Sequence, residues 1–113
     1  MERIKGAYLL WHSYNNTIPK TQRYSLGNRV DSLFVEAIEA TSAAAFLARE
    51  EKLPYVRLAA RKIDALKVLL MILWESDALE TKKYIVLSEK IDAIGKMFGG
   101  WQGQLKKQNP ARP

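Results

Sequence analysis

The stretch PYVRLAARKIDALKVLLMILW, residues 54–74, decides the fold. Its apolar residues recur at alternating steps of three and four, which is the spacing of one face of an α-helix. This stripe consists of Val56, Ala59, Ile63, Leu66, Leu70 and Leu73. Pro54 suits the first turn, because its missing N–H would have no partner there. The pattern predicts a helix that starts after the KLP segment, residues 52–54, with Pro54 in its first turn.

Three other segments carry the same spacing. The stripe of the first helix is Ile4, Ala7, Trp11, Tyr14 and Ile18. The second helix, predicted from about Ser25 to Glu50, has Leu26, Val30, Leu33, Ala37, Ala40, Ala44 and Leu47. The fourth follows a break at ESDALET, residues 75–81, and has Tyr84, Leu87, Ile91, Ile94, Phe98, Trp101 and Leu105. Ser25 is a candidate cap for the second helix, and Asp77 or Thr81 for the fourth.

Four helices of this kind predict an all-α protein with one domain over residues 1–113. Short connections favour antiparallel neighbours, and hence an up-down-up-down four-helix bundle. Two readings of GGWQG, residues 99–103, remain open: the glycines end the last helix, or Gly95, Gly99 and Gly103 form a smooth ridge for a close neighbour. Residues 106–113 are expected to be a frayed basic tail.

The third predicted helix is apolar on more sides than one bundle interior requires. The additional apolar residues are Leu69, Met71, Ile72 and Trp74. Because a helix that is apolar all round is buried on more than one face, these residues predict a subunit interface.

Composition argues against an enzyme. The chain has 113 residues, no cysteine and one histidine, His12, so disulfides, thiolate chemistry and histidine or cysteine metal sites are not expected. No phosphate-binding glycine loop or nucleophile–base pair is present, and we predict no catalytic residue, metal or cofactor. The longest apolar run, residues 68–74, is too short for a membrane span, and we expect a cytoplasmic protein without membrane contact.

Positive charge is the main functional signal. The net charge is +6, and residues 3–30 and 93–113 contain no acid. Such a field attracts polyanions, of which nucleic acid is the commonest in the cytosol. The candidate nucleic-acid-binding residues are Lys20, Arg23, Arg29, Arg57, Arg61, Lys62 and Lys67. Arg57 and Arg61 are one helical turn apart, and Tyr24 could stack on an unpaired base. The alternative for each basic residue is a solvated surface charge.

Three quoted segments also resemble a known family. The aromatic AYLLWHSYNNT (residues 7–17), the basic IPKTQRYSLGNRVDSL (18–33) and the closing IGKMFGGWQGQLK (94–106) are similar to the accessory variability determinant (Avd) proteins of diversity-generating retroelements. The likeness covers roughly residues 5–107. The wider four-helix bundle family also includes proteins encoded by intervening sequences of bacterial 23S ribosomal RNA genes.

The resemblance implies a homopentameric ring of four-helix bundles. Such an assembly binds the reverse transcriptase of its element and the template RNA or cDNA, and supports mutagenic cDNA synthesis. By the same resemblance, Lys20 and Arg23 fall in the first loop, Arg29 follows LG, and Lys67 takes a basic place in the third helix. The alternative is a bundle of the intervening-sequence type, a structural protein-interaction module whose positive charge is incidental.

Overall fold

The computed structural model describes residues 1–108 of the chain, and within them it contains helices and no strand. In chain order the helices are α1 (Glu2–Asn15), the single turn α2 (Lys20–Gln22), a π-helical segment (Arg23–Gly27), α3 (Asn28–Phe46), α4 (Arg49–Glu75) and α5 (Thr81–Gln108). The four long helices α1, α3, α4 and α5 correspond to the four predicted ones. The predicted all-α class is therefore confirmed.

The long helices form an antiparallel bundle in which each packs against its chain neighbour and α5 returns to α1. Cross-contacts fix the direction of two neighbouring pairs. Between α3 and α4, Lys62 contacts Glu36, while Ser76, just after α4, contacts Gln22 of α2, which precedes α3 in the chain. Between α4 and α5, Lys67 contacts Asp92 and Trp74 stacks on Tyr84. Rising numbers on one helix match falling numbers on the next, as in an up-down-up-down bundle.

The predicted stripes form the core. All six residues of the stripe on α4 are buried, as are most of those on the other helices. Phe34 and Thr41 are also buried although the predicted stripe of α3 did not contain them. The Thr41 hydroxyl is satisfied, because Oγ1 donates to the Ala37 carbonyl at 2.7 Å. The half-buried Tyr14, Leu26, Tyr84 and Trp101 pack at the edge of this core.

The boundary between the second and third long helices lies earlier in the chain than predicted. Only Leu47 and Ala48 interrupt the helices, both with extended backbone (ψ 158° and 153°), and α4 begins at Arg49. Pro54 therefore lies inside α4 rather than in its first turn. Proline has no N–H, so the carbonyl of Glu50, four residues earlier, loses its helical partner. Glu50 lies in the exposed first turn, where this carbonyl can bond to water instead.

Asp77 ends α4 instead of capping α5. Its φ of 62° is the only positive value among the non-glycine residues that the structure describes. The N–H of Ala78 then reaches back to the Leu73 carbonyl at 2.8 Å, which is the pattern of a Schellman C-cap. Thr81 is the first residue of α5, and its hydroxyl accepts a hydrogen bond from Trp74 Nε1 at 3.1 Å.

α5 runs through the glycines, so the reading in which GGWQG ends the helix was wrong. A Cβ at Gly95 would lie 3.2 Å from Lys67 Nζ, whereas a Cβ at Gly99, Gly100 or Gly103 would meet no atom within 4 Å. The ridge thus faces outward along most of its length. The helix also includes residues 106–108, the first part of the predicted basic tail, and the remainder of that tail lies outside the described residues.

The helices differ in length, with 14 residues in α1 but 27 in α4 and 28 in α5. The C-terminal part of α5 and the N-terminal part of α4 therefore extend past α1, and residues 1–108 form three helices at this end. Among residues 1–108 no helix is both long and apolar enough to cross a lipid bilayer.

Candidate nucleic-acid interface

The first connection, residues 16–27 between α1 and α3, is largely helical. After Ile18, which is buried, Pro19 takes an extended conformation (ψ 141°), and the chain re-enters a helix at Lys20. Ser25, the predicted cap, lies within the π-helical segment, where its hydroxyl donates to the carbonyl of Thr21 at 3.1 Å. It caps no helix. Tyr24 lies in this π turn, which is wider than an α turn, and 68% of its surface is exposed to solvent.

Arg23 holds this connection together. Its guanidinium Nη2 donates to the carbonyls of Asn16 and Ile18, both at 2.9 Å, and Nε donates to Ile18 at 3.3 Å. These carbonyls follow the last turn of α1, where a cation is favoured by the helix dipole. Most of the donors of Arg23 therefore face the protein rather than solvent.

Lys20 differs from Arg23 in that it is exposed and has no ion pair or side-chain hydrogen bond within residues 1–108. Sequence reasoning missed two neighbours at this end of the bundle, Lys82 and Lys83. Lys83 Nζ lies 3.0 Å from Thr17 Oγ1 and 5.4 Å from the centre of the Tyr14 ring. The antiparallel topology brings the start of α5 to the end of α1. The predicted up-down-up-down bundle therefore already implied that Lys82 and Lys83 lie near Lys20.

Glu36 joins two of the predicted basic residues. Arg29 Nη1 lies 3.1 Å and Lys62 Nζ 3.5 Å from its two carboxylate oxygens. The cluster contains two cations and one anion, and Lys62 is the least exposed member at 23% of its side chain. Neither Arg29 nor Lys62 is therefore a free cation, although the cluster as a whole keeps a positive charge.

Lys67 is held against α5. Its Nζ lies 3.6 Å from Asp92 Oδ1 and rests on Gly95, where any side chain would approach it closely. The four predicted binding residues of α4 thus point in three directions: Lys62 towards α3, Lys67 towards α5, and Arg57 and Arg61 outward. Residues that are close in sequence do not form one patch here.

Arg57 and Arg61 are exposed, and their side chains have no hydrogen bond or ion pair with any residue from 1 to 108. They line a surface groove of about 520 Å³ between α4 and α5, together with Pro54, Ala60, Asp64 and Gln102. With Lys20 and Tyr24, they are the predicted binding residues that the structure leaves available to a ligand.

The predicted interface residues are only partly exposed. Trp74 stacks on Tyr84 with ring centres 4.8 Å apart and planes 4° from parallel, so it packs within the chain. Leu69 is half-buried against the core. Met71 and Ile72 remain 39% and 38% exposed, and Val68 beside them is 50% exposed. These three residues, Val68, Met71 and Ile72, form the outer apolar face of α4.

Residues 1–108 contain no group of three or more His, Cys, Asp or Glu side chains placed to hold a metal ion. His12 is exposed on α1, with its ring centre 6.2 Å from that of Tyr8.

Comparison of the chain with protein-family models, with curated proteins and with solved structures finds no match in any of the three.

Proposed function

We propose that this protein is a non-catalytic nucleic-acid-binding subunit. The observation that carries the proposal is a set of exposed cations that have no side-chain partner within residues 1–108, namely Lys20, Arg57 and Arg61, on a chain of net charge +6. Arginine and lysine contact phosphates without reading sequence, and an exposed aromatic ring such as that of Tyr24 can stack on any base.

The resemblance of the sequence to the Avd proteins supplies the biological role in this proposal. The subunit would bind the reverse transcriptase of a diversity-generating retroelement together with its template RNA or cDNA, in the cytoplasm. It would do so as a homopentameric ring. A reverse transcriptase gene beside a pair of near-identical repeats in the genome would support this role, whereas a ribosomal RNA locus would contradict it.

Assembly is assigned in this proposal to the outer apolar face of α4. Val68, Met71 and Ile72 recur at steps of three and one on the solvent side of the helix, and each is more than a third exposed. Burial of such side chains between subunits is favourable by roughly 25 cal/mol for each Å² of apolar surface.

The salt dependence of RNA binding tests the proposal. Affinity for a labelled single-stranded RNA should fall steeply between about 50 and 200 mM salt, because each phosphate contact releases counterions. Lys20→Ala should weaken binding. Lys5→Ala is the matched control, since Lys5 is also exposed but lies 3.3 Å from Glu2 in an ion pair. Binding that is equally tight for both variants and the parent would contradict a role for the first connection.

A second candidate function is a structural protein-interaction module with incidental charge. It is favoured by the in-chain partners of Arg23, Arg29, Lys62 and Lys67, which reduce the number of cations available to a nucleic acid. This function predicts RNA binding at low salt only, and loss of a protein complex when the outer apolar face of α4 is made polar.

A further inference from the structure

The groove between α4 and α5 carries two arginines on its α4 side, and a lysine of α5 lies one turn beyond its lining. On α4, Arg57 and Arg61 lie one turn apart, which is a rise of about 6 Å along the helix. On α5, Gln102 lines the groove and Lys106 follows it one turn later on the same side. Lys106 is exposed and has no ion pair within residues 1–108. Asp64 is the one acid among the described residues that line this groove.

Gly99 lies on the same stripe of α5, three residues before Gln102. It has no positive φ, and no atom approaches the position of its Cβ within 4 Å. A glycine in a helix interior costs about 1 kcal/mol relative to alanine, and neither backbone conformation nor packing within residues 1–108 requires it here. Its effect is to leave the backbone of α5 bare beside the groove, so that a ligand can approach closely.

The dimensions and charge of the groove favour one strand of nucleic acid. Axes of packed helices are about 8–10 Å apart, so the groove between them is narrow and a duplex would touch only its rims. In the proposed ring, copies of this chain meet at the outer apolar face of α4. The net charge of +6 makes the cation-bearing groove an unfavourable place for a further contact between copies.

We propose that a single-stranded nucleic acid runs along the α4–α5 groove, with its phosphates on Arg57, Arg61 and Lys106 and its backbone lying over Gly99. This inference rests on the proposed nucleic-acid-binding function. It adds the location of the site in the α4–α5 groove, the roles of Gly99 and Lys106, and a preference for single strands over duplexes. Asp64 opposes the phosphates and limits the affinity.

Fluorescence anisotropy with a labelled oligouridylate and with a duplex of equal length, each titrated at several salt concentrations, tests the inference. Gly99→Leu adds a side chain to the bare backbone of α5 beside the groove without loss of helix propensity, and it should weaken binding. Gly6→Leu is its matched control, because Gly6 is also helical and open but lies on α1. The double variant Arg57→Ala/Arg61→Ala should reduce the salt slope of log affinity by about 1.4. Asp64→Asn should bind more tightly.

The outcomes separate this inference from the proposed function. If the parent binds the oligouridylate but Gly99→Leu and the double arginine variant bind with the affinity and slope of the parent, the groove is not the site and the broader function stands. Duplex bound as tightly as the single strand would overturn the strand preference. A parent protein that binds neither probe would overturn both the inference and the proposed function.

Discussion

Arg23 and Lys20 lie one helical turn apart in the first connection but use their charges differently. Arg23 donates to the carbonyls of Asn16 and Ile18, whereas Lys20 faces solvent. Replacement of Arg23 by Ala should lower the free energy of unfolding by about 2 kcal/mol, because two carbonyls lose a charged donor. Urea denaturation measures this loss.

Lys20→Ala is the control at the same connection and should show the opposite pattern. Its stability should stay within about 0.5 kcal/mol of the parent, while its affinity for single-stranded RNA falls. An Arg23→Ala protein as stable as the parent would contradict the holding role of Arg23. Composition alone could not show that Arg23 is structural and Lys20 is available to a ligand. That difference depends on which carbonyls lack a helical partner in the turn after α1.

Tyr8 links α1 to α3 and gives the protein a pH-dependent contact. Burial raises the pKa of Tyr8 above its ordinary value of 10.0, and the nearby Asp31 carboxylate raises it further. Because the folded state holds this proton more tightly, the contribution to stability is present below pH 10 and is lost as the pH rises through the raised pKa.

The variant Tyr8→Phe tests this link. It should be less stable than the parent at neutral pH, because phenylalanine cannot keep the interaction of the hydroxyl with the Asp31 carboxylate. The difference between the two proteins should shrink above about pH 10. Urea denaturation at a series of pH values measures both effects, and a difference that grows with pH would contradict the assignment.

At the scale of elements, the π-helical segment is pressed against the end of α1. A Cβ at Gly27 would lie 3.0 Å from Asn15 Oδ1 and 3.4 Å from the Gln22 carbonyl. Overpacking of this kind costs about 1–3 kcal/mol, which exceeds the gain of about 1 kcal/mol in helix propensity. Gly27→Ala should therefore destabilise the protein, as measured by thermal unfolding.

Gly6→Ala is the matched substitution, because no atom approaches its Cβ position within 4 Å. It should stabilise the protein by up to about 1 kcal/mol. Opposite signs for the two glycines are the expected result. The same sign for both would mean that the contact between Gly27 and Asn15 does not constrain the fold.

The existence and order of the helices followed from the sequence, but several of their ends did not. The stripe of α4 was predicted residue by residue, since a period of three and four leaves little freedom in a long helix. Pro54 misled the prediction because its first-turn preference was stronger than the weak signal at Leu47 and Ala48. Asp77 was misread because an aspartate before a helix resembles a cap, and its positive φ depends on the preceding helix.

At the scale of the whole molecule, the outer apolar face of α4 predicts assembly. Light scattering should give the mass of a pentamer for the parent, and Ile72→Lys should shift the protein to monomer. Ile72 is already 38% exposed, so the lysine should change monomer stability by no more than about 1 kcal/mol.

Val35→Lys is the control for this experiment, because Val35 is 39% exposed on α3 and lies outside the apolar face of α4. It should leave the assembly intact. A monomeric parent, or equal disruption by the two substitutions, would contradict the proposed interface.

The candidate site was less predictable than the bundle. Seven basic residues were identified by charge, and the bundle separates them: Glu36 draws Arg29 and Lys62 together, Asp92 holds Lys67, and Arg57 and Arg61 stay outward. The partners of Lys62 and Lys67 are on other helices. Such pairs depend on the register between helices, which the apolar stripes of a single chain do not specify.

The π-helical segment from Arg23 to Gly27 also has a consequence for how chain length can vary. A π turn holds one residue more than an α turn, so loss of one residue here would restore a regular helix between Lys20 and α3. The buried faces on either side would keep their alignment, whereas a deletion within α4 would rotate every later side chain by about 100°. Natural insertions and deletions in a bundle of this type are therefore expected at the segment that carries Tyr24.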